Sequence, residues 1–176
     1  MNILDFFDLI LTQNKQKPIQ REVLWAISNI CAGSINHCMQ VLESPVFEKV
    51  LEYLGDPDTK LKKEAVLIIN SYSISNCLDM TLKLLNKGIL EKICFILEND
   101  KDKCILHTCL VIIFEFLTTG SQLEGYESEN RIVKLFQRCG GVNIVEKLQM
   151  HADLEIHKMS LEILDRFYET EEISIR

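Results

Sequence analysis

Trp25 and Asn29 stand four residues apart in the string REVLWAISNICAG (21–33), and Trp25 is the chain's single tryptophan. On a helix, residues i and i+4 share a face, so the indole and the carboxamide project together. An indole offers apolar contact to a lysine or arginine stem and a cation–π attraction to its head, about 0.5–2 kcal/mol depending on desolvation. A carboxamide offers a donor and an acceptor at once, which suits the N–H and C=O of an extended backbone. Core packing would account for the indole alone. A polar residue near a helix stop at Gly33 would account for the asparagine alone. Their shared stripe is what raises a binding role.

Thiol chemistry is the other candidate. The seven cysteines are Cys31, Cys38, Cys77, Cys94, Cys104, Cys109 and Cys139, an odd number with no C-x-x-C. Several lie in apolar runs, where a reduced thiol behaves as a small hydrophobe. This usage fits a reducing compartment, cytoplasm or nucleus, and no disulfide framework. The four histidines have no zinc-like spacing to the cysteines, so no metal or cofactor is expected. Cys104 and His107 share a helix face at i and i+3, but a nucleophile also needs an orienting third group and a lowered pKa. No oxyanion-hole loop is evident, and CGGV (139–142) lacks the strand–loop–helix setting of a phosphate loop. The chain does not read as an enzyme.

The elements that must carry these residues are helical. Hydrophobic residues make up 47% and charged residues 26%, a globular balance. The net charge of −7 with no basic stripe argues against a general nucleic-acid role. No apolar run approaches the roughly 20 residues of a membrane span, and MNILDFFDLILTQ has no basic n-region. With only 7 Gly and 3 Pro, apolar residues recur at helical spacing almost throughout. Long helices are predicted over Ile19–Ala32, Lys60–Ser73, Lys103–Thr118 and Leu154–Glu169. A shorter amphipathic helix precedes each: ILDFFDLILTQ, SPVFEKVLEYLG, GILEKICFILEN and GGVNIVEKLQMH. Asp58 and Asp153 are candidate N-caps. Turns near Pro45, Gly88 and Gly140–Gly141 imply a further short helix before each. Superposing the long helices makes Trp25, Leu67, Leu110 and Leu161 equivalent, at intervals of 42, 43 and 51 residues. A polar loop, Thr118–Asn130, stretches the last interval. The expected architecture is all-α, a right-handed α-solenoid of about four repeats in one domain over 1–176, with repeats near 1–33, 34–75, 76–119 and 120–170.

At this point the strings themselves carry a resemblance. REVLWAISNICAGS resembles the third helix of an armadillo repeat in the importin-α (karyopherin-α) family. KKEAVLIINSYSIS, NKGILEKICFIL and CGGVNIVEKLQMHADLEIHKMSLEILDRFY resemble that family's last repeats, in order. The resemblance implies an armadillo array whose third helices line a concave face, where Trp-x-x-x-Asn pairs hold an extended basic nuclear localisation signal. On it, Trp25 would be the stem platform and Asn29 the main-chain clamp, with Ser28 a polar neighbour. Glu22 lies one turn before Trp25, and Glu64 holds the matching place in the next repeat. Both would face the cationic head, unless they form solvated pairs with Arg21, Lys62 and Lys63.

The next repeat departs from the pattern: Leu67 stands at the tryptophan position and Ser71 at the asparagine position. Leu110 with Phe114 and Leu161 with Asp165 fit no peptide clamp. The expectation is therefore half of a secondary-type signal site, serving nuclear import. The family's importin-β-binding segment and major-site repeats have no match here. By position, Leu154–Arg176, with Glu169, Glu171 and Glu172, corresponds to the family's docking surface for a recycling exportin and a nucleoporin. A generic armadillo or HEAT scaffold, binding another protein through a convex or terminal surface, is the alternative. Ile3, Leu4, Phe6 and Phe7 suggest self-association through the first helix.

Overall fold

The computed structural model describes residues 2–123 and 131–168. Among them are eleven helices and no strand: α1 Ile3–Gln13, α2 Lys17–Cys31, α3 Ile35–Glu43, α4 Val46–Tyr53, α5 Thr59–Ser73, α6 Leu78–Asn86, α7 Ile89–Asn99, α8 Lys103–Leu123, α9 Arg131–Arg138, α10 Gly141–Leu148 and α11 Leu154–Phe167. The architecture is an all-α solenoid, as the apolar periodicity predicts.

Local chemistry sets the ends. Asn2 and Asp5 form a reciprocal capping box at the start of α1. Pro18 sits in the first turn of α2, so that helix opens two residues before the predicted Ile19. Asp58 caps α5 by accepting from the Lys60 and Leu61 N–H groups, and Asp153 caps α11 by accepting from Glu155 N–H. Asp102 accepts from the N–H groups of Cys104 and Ile105 and caps α8. Gly88 and Gly140, which turn the chain into α7 and α10, have φ of +72° and +74°, a region open to glycine and strained for other residues.

The chain divides into two compact units, Met1–Lys83 and Leu84–Arg176. In the first, α4 packs on α1 and α5 lies along α2, with α3 bridging α2 and α4. Leu24, Ile27, Val41, Phe47, Val50, Ile68, Ile69 and Tyr72 fill its core. The Tyr72 ring meets Phe47 edge to face at 5.6 Å. Its hydroxyl donates to the Cys38 carbonyl at 3.0 Å and receives the Cys31 thiol at 3.5 Å, so a buried phenol is satisfied.

In the second unit the same pairs recur: α10 packs on α7, and α11 on α8. Ile89, Ile93, Ile105, Cys109, Ile112, Ile113, Phe116, Phe136, Val145, Ile156 and Ile163 make its core. Gly141 lies so close to the Phe136 ring that no side chain fits there. Two expectations are corrected by α8. The helix runs on to Leu123, through the first part of the predicted Thr118–Asn130 loop, because Phe116, Leu117, Thr119 and Gly120 are buried. Packing there overrides the low helix propensity of glycine. Over Lys103–Ser121 the helix is also long and apolar enough, by length and composition, to cross a membrane. That hydropathy is a core helix's: 56% of the stretch is buried against its neighbours. Residues 124–130 and Glu169, Glu171 and Glu172 lie outside the described residues.

Candidate functional site

The face of interest is built by α2 and α5. Val23, Leu24, Ile27 and Cys31 turn one side of α2 into the core. That rotation leaves Glu22, Trp25 and Asn29, at i, i+3 and i+7, on the outer stripe. On α5, burial of Leu61, Ala65, Ile68 and Tyr72 leaves Glu64, Leu67 and Ser71 on the matching stripe. Trp25 is 55% exposed, and Leu67 beside its position in the next repeat is 36% exposed.

Glu22, Trp25 and Glu64 meet in one cleft of about 380 Å³, whose other walls are Arg21, Lys60 and Lys63. Glu22 is exposed and takes an ion pair from Arg21 at 3.2 Å, the solvated pairing weighed above. Glu64 is half-buried, and its Oε2 is sealed from solvent with no hydrogen-bond partner. Burial pushes its carboxyl above the ordinary carboxylate range, against the pull of Arg21 and Lys63. A carboxylate so placed is short of a donor.

The remaining predicted residues lie a turn further along the two helices. Asn29 is exposed, and its carboxamide makes no hydrogen bond within the described residues. Ser28 donates to the Trp25 carbonyl at 2.9 Å, and Ser71 donates to the Leu67 carbonyl at 3.2 Å. Both hydroxyls spend their proton on their own helix and keep only lone pairs to offer. Periodicity did not single out Lys60 as a wall of the cleft. Nor did it single out Asn70, half-buried at the place equivalent to Ser28, whose Oδ1 is buried without a partner. The 42-residue offset that matches Trp25 to Leu67 would have found Asn70; Lys60 becomes a neighbour only when α5 docks on α2.

The corresponding positions of the second unit look different. Leu110 is fully buried. Phe114 packs edge to face with Phe167 at 5.8 Å, and the Arg166 guanidinium stands 5.0 Å from the Phe114 centroid. The aromatic face there is engaged by the chain's own cation. Cys104 is exposed and His107 half-buried on α8.

Comparison with known proteins falls into place on this geometry. The family described as atypical Arm repeat matches residues 130–175. Importin subunit alpha-4 of Arabidopsis thaliana is 27% identical over 166 residues, covering 93% of this chain and 31% of that protein. Importin subunit alpha-5 of the same plant is 26% identical over 162 residues, covering 92% and 31%. The chain is similar to importin α subunits over nearly its whole length. It spans about a third of the length of the curated relatives it matches. Among solved structures, a designed armadillo repeat protein superposes with a TM-score of 0.76 at 20% identity, over 93% of this chain and 64% of that one. A second, solved in complex with the peptide (KR)4, gives a TM-score of 0.60 at 19% identity, over 93% and 81%. The fold of this importin-α-like chain is thus the armadillo fold.

Proposed function

We propose that the α2–α5 face of this importin-α-like chain binds an extended lysine/arginine-rich segment of the nuclear-localisation type. The observation that carries the reading is the open Trp25 ring set over a cleft that holds a buried, donor-less oxygen of Glu64. The indole covers an aliphatic stem, and Glu64 and Glu22 meet the cationic head. Asn29, with its carboxamide free, holds the peptide main chain. Leu67 gives an aliphatic second wall in place of an indole, and Ser28 and Ser71 offer acceptors only. One Trp/Asn pair makes this a secondary-type site, weaker than a run of such pairs. The chain is then a binding protein rather than an enzyme, working in nuclear protein import between cytoplasm and nucleus. α11, within Leu154–Arg176, is the place for a recycling exportin or a nucleoporin. Two kinds of likeness support this: relatives named as importin α subunits, and a designed armadillo protein solved with (KR)4.

Because Trp25 is the single tryptophan, its fluorescence reports the site directly. Titration with a basic localisation peptide should shift the emission. Trp25→Ala, followed calorimetrically, and Asn29→Ala should each weaken binding by roughly 1–3 kcal/mol. Rising salt should weaken it too. A flat titration at high peptide concentration would sink the reading.

A further inference from the structure

The cleft beside Trp25 is not lined as a site for cations alone would be. Its walls carry two carboxylates, Glu22 and Glu64, and three cations, Arg21, Lys60 and Lys63. A second hollow of about 260 Å³ shares Arg21 and Lys60 with it and adds Lys17 and Asp58. Two of these three acids are spent inside the chain. Glu22 pairs with Arg21 at 3.2 Å, and Asp58 holds Lys17 at 3.0 Å while capping α5. Lys60 and Lys63 are exposed and make no ion pair among the described residues. Local helix chemistry does not account for them. The first turn of α5 holds Lys60 and no acid, although the helix dipole favours acids at that end. The cations are also in register, because the 42-residue offset that matches Glu22 to Glu64 matches Arg21 to Lys63. One turn before Trp25 and Leu67, each helix thus sets a cation and a carboxylate side by side.

We propose that the segment taken by this face is of mixed charge: a lysine or arginine seated against Trp25 and Glu64, and close to it an anionic side chain, carboxylate or phosphate, answered by Lys60 and Lys63. The proposal rests on the basic-segment reading above and narrows it. A wall of both signs is complementary to a ligand of both signs. An unbroken basic run would set its further cations against the two free lysines, a like-charge contact that costs affinity. An anion at that place exchanges the repulsion for charge-assisted hydrogen bonds to two ammonium groups. The face then selects among basic segments by what flanks them.

The test is calorimetry on the whole chain with matched peptides: a Lys-Arg segment flanked by serine on each side, and versions with aspartate or phosphoserine on one side or the other. On at least one side aspartate should tighten binding roughly two- to fivefold, the scale of an exposed ion pair. Phosphoserine, with nearly twice the charge, should tighten it more. A gain from phosphoserine alone supports the proposal with phosphate as the anion, and a gain from both supports it with negative charge as such. Lys60→Glu with Lys63→Glu should remove the gain and tighten the serine peptide. Acids in the first turns of α5 suit the helix dipole, so this variant keeps the fold. Lys60→Gln with Lys63→Gln is the milder second variant and should also remove the gain. If the serine peptide binds and moves the Trp25 emission, but the anion weakens binding on both sides, this proposal falls and the basic-segment reading stands. If no peptide moves the emission, both fall. A gain that survives the lysine variants overturns the assignment to Lys60 and Lys63.

Discussion

Lys17 Nζ lies 3.0 Å from Asp58 Oδ2, so the carboxylate that caps α5 is also held by the first turn of α2. The same link recurs in the second unit, where Lys103 at the start of α8 lies 3.2 Å from Asp153, the N-cap of α11. In each case an acid serves two ends at once. One oxygen accepts backbone N–H groups of its own helix, and the other meets the cation of the helix one repeat earlier.

Both carboxyls are held below the ordinary range, first by the lysine contact and then by the backbone N–H bonds. A depressed folded-state pKa contributes stability above the unfolded value, and that contribution is lost as pH falls through the folded one. The melting temperature should therefore drop on acidification below about pH 4. Asp58→Asn keeps a cap and loses the charge, so it should flatten part of that drop. Asp58→Ala loses both and should lower the melting temperature further at neutral pH. Equal melting curves for the two variants would contradict the double role.

Arg21 competes with any cation that enters the Trp25 cleft, because it already pairs with Glu22. Arg21→Ala frees that carboxylate and removes a like charge. The affinity for a lysine/arginine-rich peptide should rise roughly two- to fivefold, the scale of an exposed ion pair. Calorimetry at fixed salt would check it, and weaker binding would show that Arg21 belongs to the peptide site in another role.

If the proposed peptide site is right, Glu64 should make binding sensitive to pH. Its carboxyl is raised, chiefly by burial, so on acidification it takes a proton before an ordinary carboxylate does. Peptide affinity should fall in that range, and Glu64→Gln should bind weakly with no such fall. The sign for stability is the reverse. A raised acid favours folding when protonated, and that advantage disappears as pH rises through the folded pKa. Glu64→Gln should thus match or exceed the native melting temperature near pH 7. Trp25 emission titrations carried from neutral pH down into the ordinary carboxylate range separate the two forms, and identical pH profiles would exclude Glu64 from the site.

Thiol reactivity should follow burial. Burial pushes Cys31 and Cys94 up to about 12, while Cys104 is exposed on the first turn of α8. Iodoacetamide near pH 8 should modify Cys104 in the native chain and reach Cys31 and Cys94 only on unfolding. Mass spectrometry of timed aliquots gives the order, and early modification of Cys31 would mean that the Tyr72 core opens.

Much of this protein is written in local pattern. The spacing of apolar residues gave the helical class, and α1 and α5 fall within a residue of their expected bounds. The same pattern set Glu22, Trp25 and Asn29 on one stripe, and Glu64, Leu67 and Ser71 on the next, because a helix of 3.6 residues per turn fixes those directions. It did not carry the end of α8, where burial of Gly120 and its neighbours outweighs a weak local preference for helix. It left α3, α6 and α9 implied by turns but without bounds.

Tertiary docking decided the rest. That Trp25 is open to solvent, that Glu22 and Trp25 share a cleft with Lys60, Lys63 and Glu64, and that Asp58 answers Lys17 all depend on how α5 lies along α2. Those residues are some forty positions apart, and the interaction between them exists only once two helices share a face. Periodicity can say which way a side chain points, because that is set within one or two turns. What it points at is set by the packing of the whole repeat.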